Sequence, residues 1–191
     1  MYSSLYKFLT QFDNLTEAEW TAFESILEFE IVKKGTLLAD VGVVSDKMYF
    51  INCGALRLFF YKDGEERTGN FFFENELASP FISFTFRKPN TQLLETIEDC
   101  ELFSFSNKNL TYIFDNYPIY NKIFRKMSEF SFAKLQKQIS MFVITNPEER
   151  YEHLFEHYPQ IIKRAAQKDI ASFLGITPVS LSRLKKRLYS K

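Results

Sequence analysis

Two stretches of this 191-residue chain combine residue types and spacings that could do chemistry. The first is "HLFEH", His153 to His157. Imidazoles four positions apart share one face of a helix. With Glu156 between them they match the H-x-x-E-H pattern, in which two histidines hold zinc and the glutamate serves as base. The chain has only 2 histidines, so a carboxylate would have to complete such a shell. Two ordinary helix histidines are the competing reading. The second stretch is "AQKDIASFLGITPVSLSRLKKRL", Ala166 to Leu188. Its polar groups are mostly hydroxyls and cations, the groups that meet phosphates and base edges.

The spacing in that second stretch fits two short helices crossing at a steep angle. Ala171 is the small residue where they touch, and Gly175 supplies the left-handed turn between them. Ile170, Leu174, Ile176, Leu181, Leu184 and Leu188 are the expected shared core. Thr177 can cap the second helix, and Pro178 suits its first turn. Lys168, Thr177, Pro178, Val179, Ser180, Ser182, Arg183, Lys186 and Arg187 are then left to meet double-stranded DNA. A helix of this size fits a major groove, with its N-terminal residues at base edges and its cations toward phosphates. Arg183 is the candidate for reading guanine and Val179 for a thymine methyl. Thr177, Ser180 and Lys186 are candidates for phosphates. The alternative is an ordinary helical hairpin with a solvated basic face.

Composition narrows the choice. The formal net charge is zero, yet residues 160–191 carry eight cations against Asp169 alone, a net +7. The first 159 residues carry 16 cations against 23 carboxylates, a net −7. A basic tail on an acidic body points to a polyanionic partner for the tail. Cys53 and Cys100, far apart and outside any CxxC, read as free thiols in a reducing cytoplasm, and they are too few for a four-thiolate cluster. No apolar run reaches the length of a membrane span, and the N-terminus lacks the basic-then-apolar pattern of a signal peptide. The expected location is cytoplasmic, without membrane association, and no cofactor or metal is expected.

The elements that must position these residues are of two kinds, an α+β pattern. Leu15–Phe29 reads as a helix, with Trp20, Phe23, Ile26 and Leu27 on one face. From Ile31 to about Ser106 come short aromatic and β-branched runs separated by turn glycines, which predict a β-roll. The chain's 22 phenylalanines favour such packing. "FYKDGEER" predicts a tight hairpin at Asp63–Gly64. From Pro118 the period becomes helical. Ile119, Ile123, Met127, Phe130, Leu135, Ile139 and Phe142 form a drifting apolar stripe over roughly seven turns. It is too long for a small roll alone to bury, so Ile123, Met127, Phe130 and Leu135 are expected at a homodimer interface. "TNPEER" restarts the chain, with Thr145 or Asn146 as cap and Pro147 in the first turn. The expected divisions are a roll over 1–116, a long helix over 117–144 and a DNA-binding domain over 145–191.

Helix, glycine-punctuated roll, long helix and terminal helix-turn-helix together resemble the Crp/Fnr family of bacterial transcription regulators along essentially the whole chain. "KDIASFLGITPVSLSRLKK" is similar to the family's helix-turn-helix. Gly42, Gly54 and Gly64 match its recurring turn glycines. The resemblance implies a cyclic-nucleotide-binding-like roll, a homodimer joined through the long helix, and two recognition helices on a two-fold symmetric DNA site. It implies a regulator rather than an enzyme. In cyclic-nucleotide-binding members a Gly-Glu pair, and an Arg with a hydroxyl residue after it, hold the ligand. Here Ser79–Pro80 and Asn90–Thr91 occupy those places, so Ser79, Pro80, Phe81, Asn90 and Thr91 outline a degenerate pocket. Burying a cyclic phosphate there would leave it without its cation, although Arg87 and Lys88 lie nearby. Cyclic AMP is therefore not the expected effector, and an unidentified small molecule or a ligand-free scaffold remains. At the recognition helix Pro178–Val179 replaces the Arg-Glu of the best-known members, and little chain is left for a β-wing. The competing functions are a roll that binds a protein partner and a zinc hydrolase built on His153, Glu156 and His157.

Overall fold

Residues 2–189 are described by the structure, a computed structural model. Helices α1 (Ser3–Thr10) and α2 (Glu17–Glu24) precede the strands. These are β1 (Glu28–Val32), β2 (Leu37–Ala39), β3 (Lys47–Cys53), β4 (Leu56–Lys62), β5 (Glu65–Phe72), β6 (Leu77–Ala78), β7 (Leu93–Thr96) and β8 (Cys100–Ser106), with α3 (Phe81–Phe86) between β6 and β7. Six helices follow: α4 (Asn107–Asn116), α5 (Pro118–Ile144), α6 (Pro147–His157), α7 (Pro159–Arg164), α8 (Gln167–Phe173) and α9 (Pro178–Tyr189). This is the expected α+β architecture. The strands form two four-stranded sheets, ordered β1-β8-β3-β6 and β2-β7-β4-β5.

The predicted first helix is shorter than its apolar period suggests. Thr16 caps it through a reciprocal capping box with Glu19, and it stops at Glu24. Residues from Glu28 onward instead pair with β8, from Glu28 opposite Ser104 to Val32 opposite Cys100. A full strand's ladder outweighs the local helical period. Helices α1 and α4 were not apparent from the sequence. The Asp63–Gly64 turn is as predicted: both residues have positive φ, +54° and +78°, as a type I′ turn requires.

Alternation along the strands builds two cores in the first compact unit, which runs to Leu58 and resumes over Phe72–Phe132. Met48, Phe50, Phe103 and Phe105 face a helical layer that contributes Leu5, Leu9, Phe23, Leu110, Ile113 and Tyr120. Tyr49, Ile51, Cys100 and Leu102 point the other way, into a core shared with Leu56, Leu58, Ala78 and Leu94. Strands β3 and β8 are thus apolar on both faces, which accounts for the runs "MYFI" and "LFSF". Arg57 is buried with them and ion-pairs Glu95 at 2.8 Å. Cys53 and Cys100 are both free thiols, Cys53 exposed and Cys100 buried. Burial pushes the Cys100 thiol up to about 11.

The long helix behaves differently along its length. Ile123 and Met127, two of the four dimer-face candidates, are buried in the chain's own core beside Phe23 and Tyr120. This corrects the expectation for those two: the first turns of α5 cover the β3–β8 surface, and their apolar residues are consumed there. Phe130 and Leu135 remain 67% and 51% exposed, and Ile139, Phe142, Val143 and Ile144 are exposed with them. The second compact unit begins within this helix, at Ala133, and also contains the hairpin segment Phe59–Phe71. No helix among the described residues is long and apolar enough to cross a membrane.

Candidate nucleic-acid interface

Helix α6 starts as its sequence dictates. The Asn146 side chain accepts from the amides of Glu148 and Glu149, the Glu149 carboxylate accepts from the Asn146 amide, and Pro147 occupies the first turn. The helix buries Tyr151 and Leu154, and α7 buries Ile161. On this base sit α8 and α9. Ile170, Ala171, Phe173 and Leu174 of the α8 segment are buried, as are Leu181 and Leu184 of α9. Ile176 and Leu188, read as full core members, are only half-buried. Ala171 is completely buried, as a close helix crossing requires.

The turn is closed by its own backbone. Gly175 has φ +72°, and the Ile176 amide donates to the Ala171 carbonyl at 3.0 Å, the long-range bond of a Schellman ending. Thr177 caps α9 through Oγ1, which accepts from the Ser180 amide at 3.1 Å. The opposite face of α9 is open. Thr177, Pro178, Val179, Ser180, Ser182, Arg183, Lys186 and Arg187 are all exposed, as is Lys168 on α8. Arg183 makes no hydrogen bond or ion pair among the described residues. Arg187 pairs with Glu148 at the start of α6, and Lys185 donates to Gln167 Oε1 at 3.0 Å.

Several supports of this unit have no local sequence signal. The Arg150 guanidinium donates to the Leu174 and Thr145 carbonyls and lies 5.1 Å from the centre of the Phe142 ring. It thereby ties the end of α8 to the end of α5. Asp169 is buried in the first turn of α8, where a carboxylate complements the helix N-terminus. The hairpin segment contacts α8 directly. Ser172 Oγ accepts from the Thr68 amide at 2.9 Å and donates to the Glu66 carbonyl at 3.2 Å. Lys168 reaches the Glu66 carboxylate at 3.4 Å, and the Phe71 and Phe173 rings meet edge to face. These partners lie about a hundred residues apart in the chain.

The other candidate chemistry does not assemble. The His153 and His157 rings are in edge contact at 4.4 Å. Burial, then His157 and Lys137, push the His153 imidazole below its usual range. Glu156 approaches His157 only to 3.9 Å. Among the described residues no three His, Cys, Asp or Glu side chains are grouped to hold a metal.

The five residues of the degenerate pocket differ in burial. Ser79 is buried and donates to the Lys47 carbonyl. Asn90, only 4% exposed, closes an Asx turn with Gln92, while its backbone pairs with Gly42 and Val43. Pro80 is buried and precedes α3, whereas Phe81 and Thr91 are exposed.

No family model matches the chain, and no curated protein matches it by sequence. Solved structures do. A protein of Eubacterium rectale described as a transcriptional regulator of the Crp/Fnr family superposes with a TM-score of 0.71 at 17% identity, over 96% of this chain and 88% of that one. The chain has the fold of Crp/Fnr regulators. The c-di-GMP responsive global regulator CLP of Xanthomonas campestris gives a TM-score of 0.70 at 16% identity, over 92% of each chain. FixK2 of Bradyrhizobium japonicum gives 0.67 at 16% identity, over 86% of this chain and 85% of that one. Within this Crp/Fnr fold, α8 and α9 are the elements that the sequence singled out as the helix-turn-helix.

Proposed function

We propose that the protein is a DNA-binding transcriptional regulator that acts as a homodimer. The observation that carries this reading is the two-sidedness of α9. Its buried face anchors it on α8, while hydroxyls and cations fill an exposed face 12 residues long. Such a helix is about 18 Å long, and a major groove about 12 Å wide accepts it. In this reading Arg183 takes guanine O6 and N7, and Val179 packs on a thymine methyl. Thr177, Ser180 and Lys186 bind phosphates, with Lys168, Pro178, Ser182 and Arg187 around them.

The dimer is supported by the second half of α5. Phe132, Leu135 and Ile139, three and four residues apart, lie exposed on one face of this helix, and pairing with a second copy would cover them; Phe130 is exposed on the side of Ile123 and Met127. Two copies would then present two α9 helices to a symmetric site. The effector is not a cyclic nucleotide held in the family manner, because Ser79 and Asn90 are spent on backbone partners. Selection from random DNA sequences, followed by gel retardation at several salt concentrations, tests the proposal. A palindromic half-site and an affinity falling steeply with salt are expected. No retardation of any fragment at low salt would overturn it.

A further inference from the structure

Two helix ends in the second compact unit share one cation. Helix α5 has no basic residue in its last turn, and neither does α8. Their terminal carbonyls are the negative ends of two helix dipoles, where a cation is stabilising. Arg150 supplies it from a third helix. It is the fourth residue of α6, where the dipole of α6 itself disfavours a positive charge. Its Nη1 donates at 2.6 Å to the carbonyl of Thr145, directly after α5. Its Nε donates at 3.3 Å to the carbonyl of Leu174, the C-cap of α8. The guanidinium also lies 5.1 Å from the centre of the Phe142 ring, in the last turn of α5. It has no carboxylate partner among the described residues.

What these two ends lead to gives the contact its consequence. The second half of α5 carries the exposed Leu135 and Ile139, the row that would pair two copies. Leu174 is followed by the Gly175 turn and then by α9. In the chain, only Thr145 and Asn146 join α5 to α6. A connection that short brings two helices together without fixing the angle between them. A guanidinium can fix it. It is planar and donates from separate nitrogens in a rigid fork, so two carbonyls bonded to it are held at a set distance and angle, whereas an ammonium is a single point charge. The Phe142 and Phe173 rings, edge to face at 6.4 Å, close the same junction.

We propose that Arg150 is a positioning residue that fixes the direction of α9 relative to the second half of α5, and thereby sets the separation of DNA half-sites that the dimer accepts. This role rests on the reading of the protein as a dimeric DNA-binding regulator. Half-site spacing follows from the distance and angle between two recognition helices. One added base pair moves a half-site by about 3.4 Å and turns it by about 35°. The test uses the full-length protein, Arg150→Gln and Arg150→Lys on duplexes bearing the selected half-sites. The spacer has its selected length or is one base pair longer or shorter, and fluorescence anisotropy gives the affinities. The parent should bind the altered spacers about tenfold or more weakly, comparable to one mismatched base pair. Arg150→Gln should reduce that discrimination to about threefold or less. Its affinity for a duplex with a single half-site should stay at the parent's value. Arg150→Lys keeps the charge but not the fork, so it should lose discrimination as well, and it carries the test if thermal denaturation shows that the glutamine variant does not fold. A merely structural role would lower the melting temperature and weaken every duplex alike. Folded variants that keep the parent's spacer preference would overturn the assignment, as would full rescue by lysine or a parent indifferent to spacing. If the parent binds no duplex at all, the DNA-binding reading itself fails, and this role with it.

Discussion

Replacing Arg183 with alanine separates DNA reading from folding more cleanly than any other change in α9. The side chain lies on the exposed face and has no hydrogen bond or ion pair among the described residues. Alanine is at least as good a helix former as arginine, so stability should move by less than about 0.5 kcal/mol. A bidentate arginine–guanine contact discriminates by about 1–3 kcal/mol. That corresponds to roughly 5- to 150-fold per half-site, so a symmetric dimer would lose about 2–6 kcal/mol in all. Arg187 supplies the control. Its guanidinium is shared with Glu148 across a partly exposed pair, at 60% and 31% side-chain exposure, so the pair itself contributes about 0–1 kcal/mol. Arg187→Ala should weaken binding evenly across sequences and lower the salt slope by about one. Fluorescence anisotropy on the selected site and its single-base variants, at three salt concentrations, measures both effects. Thermal denaturation checks the fold. If Arg183→Ala keeps the parent's preference at every base pair while folding normally, the orientation assigned to α9 is wrong.

Four further outcomes follow from the packing. Phe132→Asp combined with Leu135→Asp should yield monomer by analytical ultracentrifugation without lowering the melting temperature of the roll. Ile123→Ala, in the core, should cost about 2–5 kcal/mol in urea denaturation. Gly54→Ala should destabilise far more than Gly64→Ala, although both glycines have positive φ. An added Cβ at Gly54 would lie 2.5 Å from Cys100 Sγ and 2.7 Å from the Asp99 carbonyl, while Gly64 has open space. The backbone strain is about 1–2 kcal/mol at either position, and overpacking adds about 1–3 kcal/mol at Gly54 alone. Ser172→Ala should remove two hydrogen bonds and leave the Thr68 amide orphaned, a loss of about 1–3 kcal/mol. Hydrogen exchange at Thr68 should accelerate, and unchanged protection there would refute the contact.

What could be read from the sequence was what depends on neighbours within a few positions. Ala171, Gly175 and Thr177–Pro178 specify the helix-turn-helix because a tight crossing, a left-handed turn and a cap are local requirements. Asp63–Gly64 specifies its turn for the same reason, and Asn146–Pro147 the start of α6. The exposed face of α9 followed from its spacing alone. The tertiary structure decided where partners lie far apart in the chain. The apolar stripe of α5 reads as one feature, but only the fold divides it into buried Ile123 and Met127 and exposed Phe130 and Leu135. Residues 28–29 carry a helical period, yet β8 captures them in a ladder. Ser172 and Arg150 look like ordinary surface residues until the hairpin and the end of α8 arrive beside them.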